Sequence, residues 1–430
     1  KPAPCALPNV QASSGGRAVS ETPLAVNPLD PKQLMTGGMD YNCRKSLQGF
    51  WTSSDGGSTW MGGCAPLAKG ASAGEGDPVV GYDLSGTAWR GGVDVLRSGQ
   101  SEIVVSSSTD NGRSWSDPVV ATRVPKLLSD KPWLAIDTNA NSPDKNALYI
   151  SSTQFDAENN SQIYVAHSTD GGTTWSAVAA APQTVWPRVA QFSDLAIGAN
   201  GTVYLSYMVC TADGKAGDCG GGAASLYFTR SADGGDTWST PVLMASLGLD
   251  FDNCACAFFG NLTNTSEPMS EIPVIAIDNS NGAHAGELYF AAYTWTGIFM
   301  QLLVGASTDG GATWTPPVAV APKSDRHDQF LPWIAVSANG VLGVTWLDRR
   351  NDPDNVDYEA FGAWSSDGGN NFSTNVQLAS EPSNPFDDGF DGRFMGEYTG
   401  NAWSGKTLFG AWPDTRSGTA TQDEAGGWRR

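Results

Sequence analysis

Three short stretches near the C-terminal end carry most of the side chains suited to chemistry: WLDRRND (346–352), DGRFMGEY (391–398) and WPDTRSG (412–418). Arg349, Arg350, Arg393 and Arg416 supply guanidinium groups, whose planar fork holds a carboxylate or sulfate by paired hydrogen bonds. Asp414 and His327 complete the expected substrate-binding set, His327 doubling as a general base. Glu397 beside Tyr398 offers a base and a nucleophile, and Asp348 with Glu397 offers a carboxylate pair for acid/base hydrolysis. Adjacent strand residues point to opposite faces, which counts against a direct Tyr398–Glu397 couple. The acidic run NDPDNVD (351–357) sets out Asp352, Asp354 and Asp357 as oxygen ligands for Ca²⁺, without the regular spacing of an EF-hand. A structural role is the other reading: Asp348 with Arg350 and Asp414 with Arg416 also make loop-stabilising salt bridges.

The elements that must position these residues follow from a repeat. The turns SSDGGSTW (53–60), STDNGRSW (108–115), STDGGTTW (168–175), SADGGDTW (231–238) and STDGGATW (307–314) recur at blade-like spacing, with a degenerate sixth, SSDGGNNF, at 365–372. An alternating apolar run precedes each turn, such as IYVAHS (163–168), and a short extended stretch follows it. Strand, Asp-Gly-Gly turn, strand is a hairpin: the aspartate accepts backbone N–H groups and the glycines permit positive φ. Between successive turns lies a second hairpin, as in PWLAIDTNANSPDKNALYISSTQ (132–154). Seven such inner hairpins and six turns predict an all-β fold, a seven-bladed β-propeller, with six blades the second choice. One domain then spans 1–430, and residues 1–19 complete the last blade, leaving no exposed sheet edge.

In a four-stranded blade the A–B and C–D turns lie on one face, and the B–C loops and D-to-A links on the other. The Asp-Gly-Gly turns are C–D turns, so their aspartates are expected to cap hairpins and their tryptophans to plug them. The opposite face collects Asp77, Asp130, Lys131, Asp194, Glu271, His327, Asp328, Arg393, Glu397 and Tyr398 from the links. The B–C loops add Asp40, Tyr41, Arg90, Asp348, Arg349, Arg350, Asp414 and Arg416. The channel face of the last two blades and the first is the expected site.

The repeated Ser-x-Asp-x-Gly-x-Thr-Trp turn resembles the Asp-box of the sialidase-like (BNR-repeat) superfamily, over about residues 20–416. LPWIAVSANGVLGVTWLDRRNDP (331–353) and FMGEYTGNAWSGKTLFGAWPDTRSG (394–418) are similar to secreted bacterial proteins of that group. The resemblance implies a propeller and a carbohydrate-active site, but sialidases, other glycosidases, polysaccharide lyases and binding proteins share the fold. A sialidase needs three arginines, a Tyr–Glu pair and an acid/base aspartate. The early Arg-Ile-Pro of that kit is absent, and RVP (123–125) follows the second turn instead of opening the first blade.

Composition narrows the classes further. The formal charge of −20 over 430 residues opposes nucleic acid and anionic membranes. No apolar run approaches the roughly 18–20 residues of a membrane span. Among seven cysteines, Cys43 with Cys64 and Cys210 with Cys219 suit local disulfides, while Cys5, Cys254 and Cys256 leave one pair and one odd thiol. Disulfides imply an oxidising compartment, and KPAPCALP reads as a processed N-terminus of a secreted chain. The expected function is a sialidase-like glycoside hydrolase for an anionic glycan or polysaccharide, requiring no cofactor, with Ca²⁺ as the one ion suggested. The alternatives are a non-catalytic glycan-binding or surface-assembly propeller loaded with Ca²⁺, and a polysaccharide lyase.

Overall fold

The computed structural model describes residues 5–13, 15–123, 128–211, 222–249, 261–322, 326–416 and 422–429. The apolar alternation of each repeat becomes strand, and the chain is an all-β propeller. Among the described residues, seven antiparallel sheets follow one another, five of four strands and two of five. Their innermost strands begin with Leu24–Val26, Ala71–Tyr82, Leu128–Ile136, Arg188–Ile197, Val274–Ile277, Gln329–Val336 and Gly400–Ser404. We number the sheets 1 to 7 in that order. Each inner strand neighbours the next, and Gly400–Ser404 returns against Leu24–Val26.

Sheet 7 joins the two ends of the chain. Its inner strand pairs with Thr407–Asp414, then with Gln422–Arg429, which receives Cys5–Ala6 and Val10–Gln11 at its outer side. Asn9 fixes this seam: its amide donates to Leu378 O at 2.9 Å, and its Oδ1 accepts Ser380 N–H at 2.7 Å. An N-terminal segment thus supplies the strand that the last hairpin lacks.

The repeated turns are hairpin caps. In HSTDGGTTW, Asp170 Oδ1 accepts Ser168 Oγ–H at 2.8 Å and Thr174 N–H at 2.9 Å, while Oδ2 accepts Thr174 Oγ1–H at 2.6 Å. Trp175 Nε1–H closes the hairpin on Gly172 O at 3.0 Å. Hydrogen bonds from Thr174 hold the Asp170 carboxyl at about 2, and Asp110, Asp233 and Asp309 behave alike. These carboxylates are engaged within their own turns.

Between sheets the core is aliphatic and aromatic, with Leu148, Ile150, Ile163 and Val165 fully buried. Each such side chain contributes about 1.5–3 kcal/mol on leaving water. Cys43 and Cys64 form a disulfide across 5.3 Å between Cα atoms, as expected. Cys210 is disulfide-bonded and Cys5 is a free, exposed thiol. Cys219, Cys254 and Cys256 lie outside the described residues, and with them the expected Cys210–Cys219 pairing. Among the described residues, no helix is long and apolar enough to cross a membrane.

Candidate functional site

Each inner strand starts on the face opposite the repeated turns, and several start with the same irregularity. The ladder slips at Gly76/Val79, Asp130/Trp133, Gln191/Ser193 and Phe330/Trp333. Inside these slips Asp77, Lys131, Phe192 and Leu331 adopt left-handed backbone, with φ of 49°, 49°, 54° and 46°. Glu21 (φ 62°) and Gly396 (φ 97°) take the same conformation just before the inner strands of sheets 1 and 7. Bulges of this kind re-aim a side chain, and left-handed residues other than glycine cost about 1–3 kcal/mol each.

The bulges of sheets 1, 2 and 3 carry charge, and their side chains meet. Lys131 Nζ lies 2.6 Å from Asp77 Oδ1 and 3.3 Å from Glu21 Oε1, and it also pairs with Glu397 Oε2. Asp77 N–H donates to Glu21 Oε2 at 3.1 Å. Glu21, Asp77 and Glu397 each present a carboxylate oxygen within 4.8 Å of the others. Asp130 lies alongside, accepting Gln191 Nε2–H at 2.9 Å. Burial, aided by Asp77, pushes Glu21 up to about 8 and Asp130 up to about 7, against the pull of Lys131. Burial works against the ammonium as well, but Asp77, Glu21 and Asp130 outweigh it and push Lys131 up. The cluster is therefore a cation enclosed by acids, with the Glu21 and Asp130 carboxyls raised by burial.

Aromatic rings from sheets 3, 6 and 7 meet beside the cluster. Trp133 and Trp333 from the two Pro-Trp strands stand with ring centroids 4.4 Å apart, and Tyr398 meets Trp133 edge-on at 5.3 Å. The Tyr398 hydroxyl donates to Pro78 O at 2.8 Å. Tyr398 and Glu397 thus diverge, one into the aromatic group and the other onto Lys131, so the sequence's base–nucleophile couple is not formed.

The arginines also depart from the expected clamp. Arg349 is wholly buried, donating to Thr263 O at 2.6 Å and Asn355 O at 2.9 Å, with Asp328 Oδ2 at 3.5 Å. Arg350 pairs with Asp348, donates to Asn375 Oδ1 at 3.0 Å and lies over the Phe361 ring at 4.3 Å. Asp348 also accepts Trp346 Nε1–H at 2.7 Å. Arg416 Nε donates to Asp414 at 2.8–2.9 Å, and its Nη2 reaches Asn9 Oδ1 at 3.1 Å across the ring seam. Duplicated Asp–Arg positions have duplicated a loop-tying role. Arg393 is exposed and His327 half-buried.

The expected calcium loop also turns inward. Asp352 accepts N–H groups of Asp354 at 3.1 Å and of Val356 and Asp357 at 2.7 Å each. Burial pushes Asp352 up, but these three donors hold it below its ordinary value. Its oxygens therefore bind its own loop, while Asp354 is exposed. Asp352, Asp354 and Asp357 do not gather as a metal-ligand group among the described residues.

Comparison with known proteins rests on structure. No protein-family model matches the chain, and no curated protein does. A Hadza microbial sialidase superposes with a TM-score of 0.50 at 18% identity, covering 76% of this chain. This chain spans 63% of that sialidase's length. The leech intramolecular trans-sialidase gives 0.50 at 12% identity, over 80% of this chain and 67% of its own. The fold is that of the sialidase-like propellers. A protein of unknown function from Dyadobacter fermentans matches over 100% of both chains, with a TM-score of 0.52 at 12% identity.

Within this propeller, sequence reasoning reached four members of the cluster, Asp77, Asp130, Lys131 and Glu397, by sorting links to one face. It missed Glu21 and the bulges. A signal was present: Pro23, Pro78, Pro132, Pro273 and Pro332 mark strand entry in five sheets, with a charged residue one or two positions ahead of the first four. It also missed the clamp on the link before Glu397. There Asp388 accepts N–H groups from Gly392, Arg393 and Phe394 at 2.9–3.2 Å, and Glu267 accepts Met395 N–H at 2.8 Å. Burial, aided by Asp388, pushes Glu267 up to about 9.

Proposed function

We propose that the protein is a glycan-acting, seven-bladed propeller, a glycoside hydrolase whose site is the channel-face cluster of Glu21, Asp77, Lys131 and Glu397. The observation that carries this is the approach of three carboxylates from different sheets to within 4.8 Å, in a fold shared with sialidases. Retaining glycosidases work with two carboxyl groups roughly 5–5.5 Å apart. In this reading Glu21, raised to about 8, keeps a proton at neutral pH and gives it to the leaving oxygen. Glu397, beside the Lys131 ammonium, faces the developing positive charge of the sugar as nucleophile or stabiliser. Trp133, half-buried, supplies the aromatic surface with the buried Tyr398 ring behind it, and Asp348 is left holding Arg350.

The blade count is supported by seven sheets, each with its own inner strand in a closed ring. The charge of the site favours a neutral sugar over the anionic one that the arginines suggested. Lys131 is enclosed by carboxylates, and Arg349, Arg350 and Arg416 are engaged by Asp328, Asp348 and Asp414. The Cys43–Cys64 disulfide supports work in an oxidising, extracellular setting. The engaged arginines also favour a second reading, a non-catalytic glycan-binding propeller.

A hydrolysis screen over neutral glycans, uronic-acid polymers and sialosides separates these. The expected result is turnover of a neutral glycan that falls at least about 100-fold in Glu397→Gln and Glu21→Gln. Equal turnover in wild type and both variants removes the site, and binding without turnover supports the second reading.

A further inference from the structure

The link that carries Glu397 into sheet 7, residues 388–399, forms no strand and is folded instead around two carboxyl groups. Gly389, Asp391, Gly392 and Gly396 adopt left-handed backbone there, with φ of 86°, 63°, 70° and 97°. Asp388 accepts the N–H groups of Phe390, Gly392, Arg393 and Phe394, the last at 2.9 Å. The next N–H along the chain, that of Met395, goes to Glu267 Oε2 at 2.8 Å. Ser266 N–H adds a bond to Gly392 O at 3.1 Å. The two carboxyl groups thus meet over neighbouring amides, one from the link itself and one from the segment ahead of sheet 5. Both are wholly buried.

Glu267 Oε1, the oxygen left over from that bond, meets no hydrogen-bond donor among the described residues. Two carboxylates side by side have no donor between them, whereas one proton on Glu267 supplies it and lets Asp388 accept. Buried acids that share a site cannot both ionise cheaply, because their surroundings screen the repulsion poorly. Burial first, and then the hydrogen bond and charge of Asp388, push Glu267 up to about 9. Arg349 opposes the rise, but its guanidinium is also drawn to Asp328 and Asp352. Tyr358 faces both acids and Asp414, and burial keeps its hydroxyl protonated well beyond its ordinary range. On the link itself Asp387, Asp391 and Arg393 are exposed, where water and salt screen them.

We infer that Glu267 and Asp388 form a proton-dependent latch, closed while they share a proton, that fastens the Glu397 link to the segment ahead of sheet 5. Loss of the proton leaves two buried negative groups facing one another, and Glu267 then leaves Met395 N–H for water. Glu397 lies two residues beyond Met395, so an open latch loosens its pairing with Lys131. The stability that Glu267 lends the link is fully present below about pH 4.5 and is lost as pH rises through about 9. The latch holds backbone, so it stands whether or not the channel is catalytic.

Arg393 is exposed within the link, so trypsin cleavage after it reports opening. The test is limited proteolysis at about pH 7.5 and about pH 10, with fragments identified by mass spectrometry. Rates are divided by trypsin's rate on a small peptide at the same pH. About one unit above the Glu267 midpoint the open link should be about tenfold more populated, and wild-type cleavage after Arg393 should rise about tenfold. Glu267→Gln supplies the donor without a charge to gain, so it should change less than about threefold and melt like wild type at neutral pH. Wild-type cleavage that does not respond to pH overturns the latch without any variant. A Gln variant as responsive as wild type overturns it too. So does cleavage after the exposed Arg97 of sheet 2 rising in step with Arg393, the mark of general loosening.

Discussion

Lys131 Nζ lies 2.6 Å from Asp77 Oδ1, and both residues stand on left-handed bulges at the same point of neighbouring inner strands. Repetition of the blade has thus placed opposite charges side by side, and Glu21 and Glu397 close around them from sheets 1 and 7. An ammonium among buried carboxylates is costly to remove, because the acids that it compensates remain. Lys131→Met should lower unfolding free energy by about 3–5 kcal/mol. Urea unfolding measures this, and a loss near zero would show that the cluster does not depend on its cation.

Glu21 gives the fold a pH dependence of known sign. Its carboxyl is raised to about 8 in the folded chain, well above its ordinary 4.5. The folded state therefore holds the proton longer than the unfolded state does. The stability that Glu21 contributes is fully present below about pH 4.5 and is lost as pH rises through about 8. Asp130 and Asp194, each raised to about 7, act in the same sense. Melting temperature should fall between pH 5 and 8, and Glu21→Gln should flatten that fall. A profile unchanged in the variant would remove Glu21 as its source.

Tyr398 separates two chemistries. With its hydroxyl on Pro78 O and its ring against Trp133, its role is to position the strand entry. Tyr398→Phe should cost about 0.5–1.5 kcal/mol of stability, the worth of one hydrogen bond, and leave turnover of a neutral glycan within a few-fold. Loss of turnover with stability retained would restore the tyrosine nucleophile.

The arginines should divide by burial. Arg349→Ala strands Asp328 in the interior and should cost about 3–5 kcal/mol. Arg393→Ala, at an exposed position, should stay within about 0.5 kcal/mol of wild type. Chemical denaturation of the two variants side by side checks this, and equal losses would contradict the burial difference.

The repeated turns behave as local sequence dictates. Ser168, Asp170, Gly172, Thr174 and Trp175 lie within eight residues of one another and make their bonds among themselves, so the hairpins were legible without tertiary information. The alternation of apolar residues gave the strands, and the sharing of the last sheet by both chain ends followed from one missing turn. Sorting loops by face also brought Asp77, Asp130, Lys131 and Glu397 to one end of the inner strands, because strand direction fixes which end of a blade a link occupies.

What the arginines do was settled in three dimensions. The sequence placed Arg349 and Arg350 beside Asp348, but only Arg350 pairs with it and reaches Asn375, while Arg349 turns to Asp328 and Thr263. The same holds for Glu21, whose partners lie 56 and 110 positions away, at Asp77 and Lys131. Sequence determined the sheets, since hairpin bonding is short in range. Tertiary structure decided the site, because charges pair with whatever the closed ring brings within a few ångströms, and burial then sets their protonation.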